Sequence, residues 1–230
     1  MARPRPADFL TRLVGAASLV FTEKGLKRAR MSDVAKEMTV AHGTLYNYVE
    51  SKDALFHLLI KHGTAGARPE LPSDLPIRAP SRETLQRQLE RRIESTFSSP
   101  KLDAALRRQR VADARGVLAE IVQELYRQSE RTRWGTLVIE RSTPDLPPAL
   151  RARYVAKRDE LLERLTTYLE RRVHRGHFQA ADPAVAARLL LECIAYFARH
   201  RHLERERLAV TEEAVTAHVV EMLVRTLTVR

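Results

Sequence analysis

Between Met31 and Leu55 the chain reads MSDVAKEMTVAHGTLYNYVESKDAL, and the spacing of its apolar residues leaves little choice of local structure. Met31, Val34, Ala35 and Met38 fall at i, i+3, i+4 and i+7, the single face of a short helix. Thr39-Val40-Ala41 breaks the run, with Val40 its one large apolar residue. From His42 to Val49 the spacing resumes with Leu45, Tyr48 and Val49, which turns His42, Thr44, Tyr46 and Asn47 outward; a further helix is predicted from Ser51 to about His62. A short helix crossing behind a second, outward-facing one is the helix-turn-helix layout, whose second helix enters the major groove of DNA.

The rest of the chain is also written in a helical period. Phe9, Leu10, Leu13, Val14, Ala17, Val20 and Phe21 make the stripe of a first helix that stops near Gly25 and packs behind the two-helix unit. Residues 63–80 carry two Gly and four Pro, the composition of a linker or irregular loop. Later stripes are Leu85/Leu89/Ile93/Phe97, Leu102/Leu106/Val111 and Val117/Ile121/Leu125/Tyr126. WGTLVI (Trp134 to Ile139) is apolar enough for a short strand, but in so helical a chain it is read as helix. A long helix is predicted over 149–175, ended by Gly176, a next one over 184–202 opened by Asp182-Pro183, and a last one over 211–228. No strand alternation and no repeat appears, so the fold class is all-α, divided as 1–62, a connecting 63–80, and 81–230.

A net charge of +11 and a pI near 10.3 suit a polyanionic partner, but +4 of it lies in residues 1–62 and +7 in the remainder, so charge alone does not single out DNA. The one cysteine, Cys193, excludes an intrachain disulfide and fits a reducing cytoplasm, where it reads as a small packed hydrophobe. Arg12 interrupts the apolar N-terminal run, which argues against a secretion signal, and no apolar stretch is long enough for a membrane helix. His174 and His177 have metal-ligand spacing but arginine neighbours and no acidic cluster, so no metal and no cofactor is expected. No phosphate loop, dinucleotide fingerprint or nucleophile elbow points to an enzyme.

G-T-L-Y-N-Y-V-x-S-K-D-x-L (Gly43 to Leu55), preceded by S-D-V-A (Ser32 to Ala35) and F-x-x-x-G (Phe21 to Gly25), resembles the N-terminal domain of TetR-type transcriptional regulators over roughly residues 8–60. Two positions depart from that pattern: Thr39 stands where the family usually has Gly, and Ala29-Arg30 where it has hydroxyl residues. Thr39 then has to accept a backbone that Gly adopts more easily, and the helix at Met31 lacks a hydroxyl cap unless Ser32 serves.

The resemblance implies a three-helix DNA-binding domain followed by a larger helical domain that binds a ligand and dimerises. Helices 149–175 and 184–202 would pair across a two-fold axis. His42 and Thr44, in the first turn of the second helix, are the candidates for reading bases, and Gly43 would allow close approach. Tyr46 and Lys52 match positions that hold backbone phosphates; Asn47, Ser32 and Arg30 join them as DNA-facing candidates, and Tyr48 suits either phosphate contact or packing. Arg3 and Arg5 suit a minor-groove arm or a plain tail. Phe97, Tyr126, Trp134, Tyr196 and Phe197 are candidate pocket residues, each equally explicable as core, and the arginine excess suits an anionic or acyl-type effector.

The expected function is a cytoplasmic, ligand-responsive regulator, a repressor that binds a palindromic operator as a homodimer. The rivals are an architectural DNA-binding protein without effector, a helical ligand- or partner-binding protein whose reading head is idle, and, last, an enzyme.

Overall fold

A computed structural model describes residues 9–62, 74–203 and 210–228, so Arg3, Arg5 and most of the expected linker lie outside it. Eleven α-helices run through these residues in chain order: α1 (Phe9–Arg28), α2 (Met31–Met38), α3 (His42–Tyr46), α4 (Lys52–His62), α5 (Arg82–Thr96), α6 (Pro100–Arg107), α7 (Ala114–Arg131), α8 (Arg133–Ser142), α9 (Pro148–His174), α10 (Pro183–Ala198) and α11 (Glu212–Leu227). Among the described residues there is no strand, only two isolated bridges, Val49 with Ile77 and Phe178 with Thr228.

Local chemistry accounts for most helix ends. The hydroxyls of Ser51, Ser99 and Thr211 accept hydrogen bonds from the amides of Ala54, Leu102 and Ala214, and the Asp182 carboxylate takes those of Ala184 and Val185 at 2.8 and 3.1 Å. Gly176 closes α9 at φ 72. WGTLVI is indeed helix, as part of α8.

Two helices end earlier than their periodicity suggests. The second helix of the reading head, expected through Val49, stops at Tyr46, because the chain turns to pair with Ile77: Ile77 N donates to Tyr48 O at 2.8 Å and Glu50 N to Ile77 O at 3.0 Å. The helix expected over 184–202 stops at Ala198. There the Phe197 carbonyl is taken by the Tyr126 hydroxyl and by Arg201 Nε, and residues 200–203 continue as a 3-10 turn. Val111, assigned to a helical stripe, lies in the irregular segment between α6 and α7.

Two compact units follow no single cut in the sequence: residues 1–92 with 131–153, and 93–130 with 154–230. In the first, α1 is the central element. Its stripe from Phe9 to Phe21 is buried against α2, α4 and α8, whose inward residues include Val34, Leu55, Leu59, Leu137 and Val138. In the second, Leu118, Ile121, Leu165, Tyr168, Leu190, Ile194 and Val219 from α7, α9, α10 and α11 form one apolar core.

Candidate nucleic-acid interface and sensing half

In the reading head, the four residues predicted to face inward on α2 (Met31, Val34, Ala35 and Met38) are its buried residues. The helix ends in a left-handed residue, Thr39 at φ 56 and ψ 46, whose amide returns to Lys36 O at 3.1 Å while Val40 N returns to Ala35 O at 3.0 Å. A side chain from α1 helps close the same end, since Arg12 donates to Met38 O at 3.2 Å. The chain then re-enters helix at Ala41, the N-cap of α3, which uses no side-chain cap.

At its start α2 lacks a hydroxyl cap, and Ser32, exposed, does not provide one. Instead the Asp33 carboxylate accepts the Arg30 amide at 2.9 Å and pairs with Lys24 at 2.8 Å. The Lys24 ammonium holds the Asp33 carboxyl below the usual carboxylate range, against partial desolvation and helped by the Arg30 amide. That negative charge in the first turn suits the helix dipole and offsets the unfavourable placement of Arg30.

Leu45 is fully buried and fixes the inner side of α3, leaving His42, Gly43, Tyr46 and Asn47 exposed and Thr44 partly so. His42 and Tyr46, one turn apart, meet edge to face at 5.2 Å between ring centroids. Tyr48 is buried and stacked on Phe9, centroids 3.8 Å apart, so its ring packs the head against α1. Lys52 is turned back: its ammonium donates to the carbonyls of Leu26 and Lys27 at 2.9 and 3.2 Å. Lys36 is exposed on α2.

The five aromatic candidates are not gathered. Tyr126, Tyr196 and Phe197 cluster near the end of α10, where the Tyr126 phenol is buried, pushed up in pKa chiefly by desolvation, and bonded to Phe197 O at 3.3 Å. Phe97 pairs with Tyr154 at 5.2 Å. Trp134 belongs to the other compact unit, beside Arg133. Two clefts of the second unit are polar rather than aromatic. One of about 630 Å³ is lined by residues including Arg115, Gln179, His218 and Arg225, and one of about 550 Å³ lies between Gln109–Ala112 and the pair Arg175 and His177. No described helix is long and apolar enough to cross a membrane, and no three metal-ligating groups come together among the described residues.

Comparison with known proteins extends these observations. No curated protein matches in sequence at a significant level. Among solved structures, the ketosteroid transcriptional regulator KstR2 of Mycobacterium tuberculosis shares the fold over 100% of both chains, at 12% identity and a TM-score of 0.56. PfmR, a TetR family regulator from Thermus thermophilus, matches over 93% of this chain and 97% of its own, at 20% identity and a TM-score of 0.53. The model for bacterial regulatory proteins of the tetR family matches residues 13–59, which hold α2, the Thr39 turn and α3. A second, for the tetracyclin repressor-like C-terminal domain, matches residues 111–227. With its reading head and more than half of its length accounted for in this way, the chain belongs to the TetR family, DNA-binding transcriptional regulators rather than enzymes.

Proposed function

We propose that this regulator is a repressor that binds a palindromic operator as a homodimer and is released by a small-molecule effector. The observation that carries the reading is α3, seated on buried Leu45 with His42, Tyr46 and Asn47 turned outward. A short helix held from behind in this way presents a rigid edge to the major groove. In this proposal His42 and Thr44 read bases, and Gly43 lets the backbone approach. Tyr46, Asn47, Arg30 and Ser32 hold phosphates. Lys52 has three donor hydrogens, two of them on carbonyls, so it offers phosphate at most one and acts chiefly by fixing the end of α1.

For the dimer, the support is an exposed apolar stripe. Val185, Leu189 and Tyr196 on α10 are exposed by 54%, 59% and 42%, and Met222 on the adjoining α11 by 41%. The outward side of α9 is mostly charged, with Arg151, Arg153, Arg158, Glu163, Glu170 and Arg171. The pairing helices proposed are therefore α10 and α11 rather than α9 and α10. A dimer built this way reads two half-sites about one turn of DNA apart, roughly 34–36 Å. The effector acts by binding the DNA-incompetent arrangement more tightly than the competent one.

Selection from random duplex DNA at near-physiological salt, followed by sequencing, tests the reading. An enriched inverted repeat supports it. Binding without an enriched motif, lost steeply as salt rises, would instead mark a non-specific architectural protein.

A further inference from the structure

We propose that the C-terminal end of α9 holds a binding site for a small organic carboxylate, built on Arg172 and Tyr168. The inference deepens the effector reading and rests on it for its regulatory consequence, though not for the binding itself.

Arg172 is 1% exposed, inside the apolar core of the second unit, and no described carboxylate pairs with it. Its Nη2 donates to Arg108 O at 3.1 Å, but Nε and Nη1 are buried without a hydrogen-bond partner of good geometry among the described residues. On the same helix Arg164 also has two nitrogens without a hydrogen bond, but its charge is paired with Asp103 and Glu160. Below Arg172, the Tyr168 ring lies 5.4 Å from the guanidinium carbon, a cation–π contact that compensates the charge only in part. The Tyr168 hydroxyl is itself buried, with the Arg172 guanidinium as its polar neighbour and no hydrogen bond of good geometry among the described residues. Burial, opposed by that guanidinium, pushes its pKa up to about 12, so it remains a donor at neutral pH. Gly176 then wraps the chain back so that the amides of His177 and Phe178 sit on Arg172 O at 2.9 and 3.3 Å, and His177 adds a further buried, unpartnered nitrogen, Nδ1.

A single orphaned donor is tolerable in a folded chain, but several on adjacent turns around a buried cation with no paired carboxylate are costly. The forked guanidinium with a phenol beside it matches a carboxylate, which accepts from both Arg nitrogens and from the hydroxyl at once. A cleft adjoins the segments on either side of this site. The 550 Å³ cleft is walled by Gln109, Arg110, Val111 and Ala112, which directly follow the carbonyl that Arg172 holds, and by Arg175 and His177, which follow Arg172 along the chain. Its lining carries cations and no acid. Arg172 and Tyr168 do not line the cleft, so a head group reaches them only when the irregular Gln109–Ala112 backbone moves.

Thermal unfolding of the full-length protein tests the site with formate, acetate, butyrate, succinate and benzoate, each against sodium chloride of equal ionic strength. The expected result is a rise in Tm of about 5 °C with at least one carboxylate at a hundredfold excess over its Kd. Arg172→Met should lose that rise while melting no lower than the unmodified protein without ligand, and Tyr168→Phe should weaken binding about tenfold. No rise with any of the five, together with a lower Tm for Arg172→Met, would overturn the site and leave Arg172 as a clamp on the end of α6. Operator release measured in parallel separates the two readings. A carboxylate that stabilises without releasing DNA supports the site and removes its effector role, whereas release that survives Arg172→Met overturns the site alone.

Discussion

The ammonium of Lys52 lies 2.9 Å from the carbonyl oxygen of Leu26, so the first residue of α4 closes the last turn of α1. The lysine of the S-K-D motif thus holds together the helices that support α3. A charged donor on two carbonyls contributes about 1.5–3 kcal/mol where it is well buried, and about 1 kcal/mol at this half-exposed site. Lys52→Met should lower stability by that amount in urea titration. Its salt slope for DNA should change by less than the full unit expected when a phosphate-bound lysine is removed.

Thr39 holds a backbone conformation that glycine would adopt without strain. Its φ of 56 is the left-handed region, which costs a side chain with a Cβ about 1 kcal/mol. Thr39→Gly should raise Tm by about 2–4 °C while leaving operator affinity within twofold, measured by calorimetry and by DNA titration. A fall in Tm would mean that the Thr39 side chain makes a compensating contact.

Asp33 makes the reading head sensitive to acid. Its carboxyl, held below the ordinary 3.8 first by Lys24, gives stability that is present above that value and lost as pH falls through the lower folded-state value. Asp33→Asn should therefore destabilise the protein at neutral pH, and the difference from the unmodified chain should close below pH 3.8.

Leu189 stands 59% exposed in the middle of the α10 stripe. Leu189→Glu should yield a monomer in sedimentation equilibrium at micromolar concentration and lose operator binding, while the far-UV spectrum remains helical. A dimer of unchanged affinity would remove α10 from the interface.

His42→Ala and Thr44→Val should change which operator sequences are enriched, by about 1–3 kcal/mol at the affected base pair, without changing the salt dependence. Tyr46→Phe should weaken all sequences alike.

The reading head was legible because it is local. The residues that form the inner faces of α2 and α3 lie within the two helices themselves, and a 3.6-residue period reports directly which side is buried. The end of α3 was not, since it depends on Ile77, reached across the segment that periodicity marks only as a loop. Nor was the role of Lys52, as a carbonyl partner has no signature in the side-chain pattern. Beyond the reading head the stripes placed the helices, yet aromatic residues at helical spacing look alike whether they line a pocket or fill a core. Trp134 and Tyr126 carry the same sequence signal and lie in different units. Arg172 was equally hidden, since an arginine among arginines discloses nothing about its burial.

Gly25 breaks the axis of α1 at φ 76, and α8 with its following turn secures the chain on either side of that break. Arg141 holds the Glu23 carbonyl at 3.0 Å, and Asp145 holds the Lys27 amide at 3.1 Å. Both partners lie 118 residues downstream. On the ribosome, the reading head therefore emerges long before the parts that set its elbow and cover α1. A fragment ending at His62 would keep α2 and α3 but expose the apolar side of α1 that α8 covers. The DNA-binding end of this protein is thus complete only when the middle of the chain has been made.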